Sequence, residues 1–438
     1  MKIFVVSLGC SKNLVDTEVM LGFLTRSGCR VIDEPAQADC LLVNTCSFLL
    51  DAVEESLDSI MVLARWKTQD GPKRLVVTGC LVSRYGEEIL KEIPEVDALV
   101  HPANLESVVE AVFGRSQRTR SPRSGLTTLD SGLSFPFPPR VLSFPSHRAY
   151  LKIGEGCSNR CSFCLIPSLR GEFESRSPDS LRAEIKHLLQ AGAREITLVA
   201  QDSGRFGMDT GEGSLPVLLN SLLSVTSDLF WLRVLYIHPR RVTDELIRAV
   251  GSDERICRYL DIPFQHASPR ILEKMGRSDA PPPLETVEKV RDLLPGVFLR
   301  TTLMTGFPGE TGKDFEQVLE FLGKARVDHL GVFPYSREEG TLAAVMDGQV
   351  DPDVARERAQ ILMQEQALIS SEKLSMLIGK EMTVLVEGLD EDGPWGRHQG
   401  QAPEVDGVVR LNREVEAGSF VNVRITGSGD YDLEGEII

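Results

Sequence analysis

Three cysteines on one short stretch, Cys157-Ser158-Asn159-Arg160-Cys161-Ser162-Phe163-Cys164, carry the most specific chemistry in the sequence. They follow directly on the apolar run Tyr150–Ile153, so three thiolates share one tight loop at the carboxyl end of a strand. Three thiolates ligate three irons of a cubane and leave the fourth open to a small molecule, unlike all-cysteine electron-transfer clusters. Zinc is the competing reading. It usually recruits a fourth Cys or His at a second pair spacing, and the sequence has no companion pair.

A second set of three lies further apart. Cys10 follows Val5-Val6-Ser7-Leu8-Gly9, Cys46 follows Leu42-Val43-Asn44-Thr45, and Cys80 follows Val76-Val77-Thr78-Gly79. Each ends an apolar run, and in a doubly wound sheet the carboxyl ends of parallel strands converge on one crevice. Three thiolates so placed could ligate a second cluster, again with one iron open. Buried core cysteines explain the same positions, because free Cys is among the most buried residue types, and the residues alone leave both readings standing. Cys29, Cys40 and Cys257 lack the strand-end placement and read as core. An odd total of nine cysteines argues against a disulfide framework.

The elements that must position these residues are α/β in kind. Ile3–Leu8, Leu41–Asn44 and Leu75–Thr78 read as buried parallel strands separated by amphipathic segments, which makes residues 1–116 a doubly wound α/β domain. Residues 117–146 are rich in Arg, Ser and Pro and read as a linker. Residues 147–375 resume the alternation, with strands expected at Tyr150–Ile153, Glu195–Ala200, Leu232–His238, Tyr259–Ile262, Phe298–Met304 and Leu330–Tyr335. Helical patterns such as Leu181–Ala191 and Asp314–Ala325 lie between them, so some six βα units predict a (β/α) partial barrel. A long helix is expected over Asp353–Ile378. Strand-like runs at Met382–Glu387, Val405–Val409 and Phe420–Ile425 then predict a small β-barrel over 376–438.

Composition sets the outer limits. A chain of 438 residues, 42% hydrophobic and 26% charged, holds two or three domains with their own cores. The opening Met1-Lys2-Ile3-Phe4-Val5 is strand-like rather than a signal-peptide core, and no apolar run has the length of a membrane span; cytoplasm is the expected location. A net charge of −16 offers no general attraction to a phosphate backbone and favours a basic partner.

Cys157-x3-Cys161-x2-Cys164, with Phe163 before the last cysteine, resembles the radical S-adenosylmethionine superfamily, in which the open iron binds the amino and carboxylate groups of the cofactor. The resemblance makes Phe163 a candidate cofactor contact. Gln201-Asp202, at the end of the next expected strand, occupies a place from which such barrels commonly assist cofactor binding. Ser7-Leu8-Gly9-Cys10-Ser11-Lys12-Asn13, Asn44-Thr45-Cys46, Thr78-Gly79-Cys80 and Ile166-Pro167-Ser168-Leu169-Arg170-Gly171 narrow this to the methylthiotransferases. Asp261-Ile262-Pro263-Phe264-Gln265-His266 and Gly306-Phe307-Pro308-Gly309-Glu310-Thr311 carry the match along nearly the whole chain. The end of the chain resembles the TRAM module, and Gln401-Ala402-Pro403-Glu404-Val405-Asp406-Gly407 is similar to the ribosomal-protein-modifying branch. Ser158 and Phe264 stand where that pattern more often has Asn and Leu.

The resemblance implies an enzyme with two [4Fe-4S] clusters and S-adenosylmethionine, acting on an aspartate β-carbon of a small-subunit ribosomal protein and fed by a reducing electron donor. Cys157, Cys161 and Cys164 would hold the cluster at which S-adenosylmethionine yields methionine and a deoxyadenosyl radical. Cys10, Cys46 and Cys80 would hold the cluster that carries a sulfur methylated by a second S-adenosylmethionine. No membrane enters, and nucleic acid enters only through the ribosome. The alternatives are a tRNA adenosine methylthiotransferase and, from another class, a non-catalytic iron–sulfur carrier or scaffold. A carrier should saturate its cluster with four cysteines, and here there are two triplets. Residues 376–438 hold five Lys and Arg against thirteen Asp and Glu, a net of −8, which suits a lysine-rich protein better than tRNA.

Other features carry less. Gly309-Glu310-Thr311-Gly312-Lys313-Asp314 lacks both the earlier glycine and the Ser or Thr after lysine that a P-loop needs. His238 and His266 read as pocket or core residues rather than proton carriers, and Arg118, Arg120 and Arg123 as part of a solvated linker.

Overall fold

The computed structural model describes residues 1–69, 73–114, 137–143, 145–211 and 213–438. Most of the expected linker 117–146, with Arg118, Arg120 and Arg123, lies outside the described residues. The chain divides into two compact units. The first comprises residues 1–144, 155–158 and 165–174; the second comprises 145–154, 159–164 and 175–438.

In the first unit β1 (Lys2–Ser7), β2 (Arg30–Val31), β3 (Cys40–Thr45), β4 (Arg74–Gly79) and β5 (Ala98–Val100) form one parallel sheet in the order β2-β1-β3-β4-β5. This is one of the common doubly wound orders. Every residue of β3 is buried, as a central strand covered on both faces must be. One face packs Leu41, Val43, Leu75 and Val77 beneath the helix α2 (Leu50–Gln69), the other packs Leu42 and Val76 against Met20 and Leu24 of α1 (Ser11–Arg26). The register pairs Ser7 with Asn44 and Asn44 with Thr78, so β1, β3 and β4 end level with one another. Cys10 is the N-cap of α1, and Cys80 opens the short helix α3 (Cys80–Tyr85). The short helices α4 (Glu88–Glu92), α5 (Val108–Phe113) and α6 (Ile166–Arg170) complete the unit. The two-residue edge strand β2 and the three-residue β5 escape the periodicity reading because they are too short to show a period.

The second unit begins with β6 (Arg148–Lys152); the two-residue strands β7 (Gly154–Glu155) and β8 (Glu174–Ser175) mark where the chain passes between units. Then come β9 (Glu195–Val199), β10 (Trp231–Val234), β11 (Tyr259–Asp261), β12 (Phe298–Thr305) and β13 (His329–Pro334). The ladders run β10-β9-β6 and β11-β12-β13, all parallel. Main-chain bonds from Cys257 to Leu232 and from Ile237 to Asp261, both 2.9 Å, join them. Six parallel strands in chain order make the expected partial barrel. The helices α7 (Pro178–Gln190), α8 (Leu215–Leu223), α9 (Asp244–Val250), α10 (Pro269–Lys274), α11 (Pro283–Leu293) and α12 (Gly312–Ala325) alternate with the strands, and α13 (Pro352–Ser375) follows them. The Gly309–Asp314 segment starts α12: Thr311 and Asp314 form a reciprocal capping box, which explains those residues without any nucleotide.

The unit closes with a five-stranded barrel, β14 (Glu381–Asp390), β15 (Gly393–His398), β16 (Val409–Leu411), β17 (Phe420–Ser428) and β18 (Leu433–Ile437), ordered β14-β15-β16-β18-β17. The strand expected over Val405–Val409 begins only at Val409. The residues before it are committed to a polar junction instead. Asp406 there accepts from Tyr259 Oη at 2.7 Å, Arg300 Nη1 at 2.6 Å and the Ala402 amide at 2.8 Å.

That junction ties the small barrel to the large one through buried charge. Arg397 donates to Glu195 at 2.6 Å, to Glu387 and to the Gln401 carbonyl at 2.8 Å. Arg233 donates to the other Glu195 oxygen at 2.6 Å, and His147 Nε2 lies 2.8 Å from Glu387. Trp231, Tyr259, Leu385 and Ala402 pack around the network. Charges this deep are tolerated only when paired, as they are here.

The junction should make the protein acid-labile. Burial, then the charges of His329 and Arg233, push His398 down to about 3. Burial opposes ionisation of Glu387, but the His147 hydrogen bond and the charges of Arg397 and Arg148 hold it at about 2. Both pKa values are depressed on folding, so each group's stabilising effect is complete above its unfolded pKa and lost as pH falls toward its folded one. The windows run from about 6.5 to 3 for His398 and from about 4.5 to 2 for Glu387. Thermal unfolding followed from pH 7 to pH 4 is expected to show a falling midpoint, with the upper part of the fall missing in His398→Asn.

Candidate functional site

Cys10, Cys46 and Cys80 come together at the carboxyl edge of the first unit's sheet, each on the loop or helix start that follows its strand. Gly9 has a left-handed backbone (φ +88°), and a Cβ there would stand 2.8 Å from Cys46 Cβ and 3.1 Å from its Sγ. Only glycine lets the Cys10 loop approach Cys46 so closely. Gly79 (φ +97°) is tighter still, since a Cβ would meet the Thr45 carbonyl oxygen at 2.3 Å and the Thr45 amide nitrogen at 2.7 Å. Those are backbone atoms of a central strand and cannot move aside. Gly79→Ala is expected to cost at least about 1–3 kcal/mol of folding free energy and to displace Cys80, which far-ultraviolet thermal melts and bound-iron measurement would detect together.

The electrostatics of the three thiols differ. Burial, followed by repulsion from Cys80 and Cys10, raises Cys46 to about 11. Burial also raises Cys80, against the charge and hydrogen bonds of Arg170. Around Cys10 desolvation is outweighed by Lys12, by the amides of Asn13 and Lys12 and by Arg170, so its thiol is lowered. Those two amides belong to the first turn of α1, where helix N-terminal N–H groups favour a thiolate.

One arginine organises the group. Arg170 Nε and Nη2 each lie 3.3 Å from Cys80 Sγ, Nη1 donates to Asp16 at 2.7 Å, and Nη2 also donates to Asn13 Oδ1. Asn13 Nδ2 in turn donates to the carbonyls of Leu8 (3.1 Å) and Thr45 (2.8 Å), fixing the loops that carry Cys10 and Cys46. The Asp16 and Arg170 side chains are 2% and 3% exposed, so this bridge is dry. Thiolates at converging strand ends, with N–H donors aimed at sulfur, fit an iron–sulfur cluster. Among the described residues no three His, Cys, Asp or Glu side chains close on a point as ligands of a single metal ion do. A cubane takes one thiolate per iron and spaces its cysteines more widely.

The second triplet occupies the loop after β7. Glu155–Ser158, with Cys157, belongs to the first unit, and Asn159–Cys164, with Cys161 and Cys164, to the second. The Cys157 amide donates to the Gly171 carbonyl at 3.0 Å, and the Cys164 amide to Cys161 at 3.1 Å in a tight turn. Asn159, between the first two cysteines, is buried and donates to Asp202 Oδ2 at 2.9 Å while accepting from Arg240. Ser162 is held by its amide on the Met275 carbonyl (3.1 Å) and by its hydroxyl on Lys274 (2.8 Å).

Asp202 is therefore a buried anchor for the cysteine loop and also accepts from the His238 amide at 3.3 Å; Gln201 beside it is half-buried. Phe163 packs with Ile271, Met275 and Phe307, and the Arg277 guanidinium stands 6.0 Å from its ring centroid. Burial and the charges of Arg277, Arg240 and Arg241 push His238 down to about 2, which keeps the ring neutral. Sequence reasoning missed Arg170, Asn13, Asn159 and Arg240 as organisers. A usable signal existed in the pairs Gly9-Cys10, Gly79-Cys80 and Gly156-Cys157, where each glycine has positive φ.

Three stretches of the chain match known protein families. Residues 2–101 match Uncharacterized protein family UPF0004, residues 151–322 the Radical SAM superfamily and residues 378–438 the TRAM domain. A curated protein of Geobacter sulfurreducens named ribosomal protein uS12 methylthiotransferase RimO is 45% identical over 100% of this chain and 98% of its own length. One of the same name from Pelotomaculum thermopropionicum is 44% identical over 100% and 99%. Among solved structures, the radical S-adenosylmethionine methyltransferase TsrM from Kitasatospora setae, with cobalamin and [4Fe-4S] cluster bound, covers 90% of this chain and 78% of its own. Its TM-score is 0.58 at 15% identity, a likeness of fold.

Proposed function

The chain belongs to the family of ribosomal protein uS12 methylthiotransferases RimO, and from that membership we propose that it places a methylthio group on the β-carbon of an aspartate of uS12. S-adenosylmethionine serves as radical source and as methyl donor. The observation that carries the reading is the pair of cysteine triplets, one on the Cys157–Cys164 loop and one at the sheet edge around Arg170. A single-cluster radical enzyme has no use for the second.

Cys157, Cys161 and Cys164 are the ligands of the first [4Fe-4S] cluster, and Cys10, Cys46 and Cys80 those of a second. When bound, the clusters supply an electron for S-adenosylmethionine cleavage and a site for the sulfur to be transferred. The protein's own residues do the positioning. Asp202 and Arg240 clamp Asn159 and thereby the cysteine loop, while Gln201, Asp202 and Phe163 are the proposed cofactor contacts. Arg170 holds charge beside Cys80 and, through Asn13, fixes the loops of Cys10 and Cys46.

A protein substrate is favoured over tRNA by the terminal barrel. Of its five basic residues, Arg397 is buried in the junction, Arg410 pairs with Asp390 and Arg424 with Glu381. Little positive charge is left for phosphates. Working bounds are 1–116, 147–375 and 376–438 for the three domains, with an external reductant as electron donor and the cytoplasm as the site of action; among the described residues no helix is long and apolar enough to cross a membrane. Anaerobic incubation with uS12, S-adenosylmethionine and dithionite tests the proposal. A methylthio mass gain on one aspartate is expected, and modification of tRNA with unmodified uS12 would overturn it.

A further inference from the structure

The first unit carries a groove that neither cysteine triplet uses. It has a volume of about 570 Å³ and runs between α2 and β1. Phe4, Val6 and Trp66 form an apolar floor, and the lining includes four carboxylates and no basic side chain. Glu54, Glu55 and Asp58 on the rim are exposed and form no ion pair among the described residues. Their helix also leaves Val62 half exposed at 50% and Met61 at 45%, an apolar face open among the described residues.

Beside the groove the described residues leave part of the sheet edge without a strand partner. β1 pairs with β2 only through Lys2 and Ile3, and beyond them no described strand lies along its outer side. An extended segment could lie there on the apolar floor, with its basic side chains against the rim. From Val6 the strand runs on to Cys10, a span of at most about 13 Å at the rise of an extended chain.

We propose that this groove docks an extended, Lys- and Arg-rich segment of the substrate ribosomal protein and leads it toward the Cys10, Cys46 and Cys80 edge. The inference rests on the uS12 reading and names the surface by which that substrate is held. Acidic rims act mainly on encounter and orientation, and the apolar floor supplies contact area. The occupant is chosen by charge complementarity: four carboxylates against one ammonium, that of Lys73 beside Trp66 and Pro35, suit a basic chain and repel this acidic protein's own copies.

The test uses the full-length, iron-loaded protein with Glu54→Lys, Glu55→Lys and Asp58→Lys combined, and a neutral counterpart with Glu54→Gln, Glu55→Gln and Asp58→Asn. Binding of fluorescently labelled uS12 is titrated at low and physiological salt, and KM and kcat for methylthio transfer are then measured. Charge reversal is expected to weaken binding at low salt by about tenfold or more and to flatten its salt dependence, with the neutral variant in between. KM should rise in step, while kcat and substrate-free cleavage of S-adenosylmethionine stay at wild-type values. Equal binding by all three proteins overturns the proposal, as does a wild type that binds no uS12. A wild-type dimer that becomes monomeric on charge reversal also overturns it, because a second copy then fills the groove. Binding that is lost on reversal while the wild type transfers no methylthio group would keep the groove and defeat the uS12 methylthiolation reading.

Discussion

Arg170→Met is expected to lower bound iron from about eight to about four per chain and to abolish methylthio transfer, while S-adenosylmethionine cleavage persists. The substitution removes two N–H donors from Cys80 and the partner of Asp16, which is 2% exposed. Breaking a buried pair costs about 3–5 kcal/mol because the remaining charge has no water to turn to. Cys80 is already raised by burial, and without the arginine its thiolate becomes harder still to form. Iron must then displace a more tightly held proton. Arg170→Lys should not rescue, since one ammonium cannot present a planar fork to Asp16, Asn13 and Cys80 together. Iron, sulfide and cleavage assays on both variants check this, and loss of S-adenosylmethionine cleavage along with transfer would contradict it.

Arg397→Met is expected to have the largest effect on stability. The guanidinium is the shared partner of Glu195 and Glu387, all three side chains being no more than 1% exposed. Its loss leaves Glu195 with Arg233 and Glu387 with His147 and Arg148, and sets two carboxylates facing a methionine. At about 3–5 kcal/mol for a broken buried pair, the melting temperature should fall by on the order of ten degrees. Deleting 376–438 goes further, because Trp231 and Tyr259 lose Leu385, Ala402 and Phe420 from their packing. The truncated chain is expected to be insoluble rather than a working barrel without its tail. Differential scanning calorimetry and soluble yield measure the two effects.

The site was legible where its chemistry is local and hidden where it is tertiary. Cys157, Cys161 and Cys164 stand within eight residues, so spacing alone defines them as a set. Cys10, Cys46 and Cys80 were readable as strand ends because β1, β3 and β4 are uninterrupted apolar runs with level registers. Arg170 lies 90 residues from Cys80, and Arg397 lies 202 from Glu195, distances over which sequence periodicity says nothing. The partial barrel followed from repeated βα alternation. β15 escapes sequence reading because Gly393-Pro394-Trp395-Gly396 shows no alternation, and Val405–Val409 reads as strand because its apolar residues hide the role of Asp406 at the junction.

The proposed function requires two three-cysteine clusters for one transfer. It is tested most directly by anaerobic iron and sulfide quantification on reconstituted wild type and on the Cys10→Ala, Cys46→Ala, Cys80→Ala triple variant, with mass spectrometry of uS12 after incubation with S-adenosylmethionine. About eight irons should fall to about four, with a methylthio gain in the wild type alone. About four irons in both proteins, or a methylthio gain that survives in the variant, would contradict it.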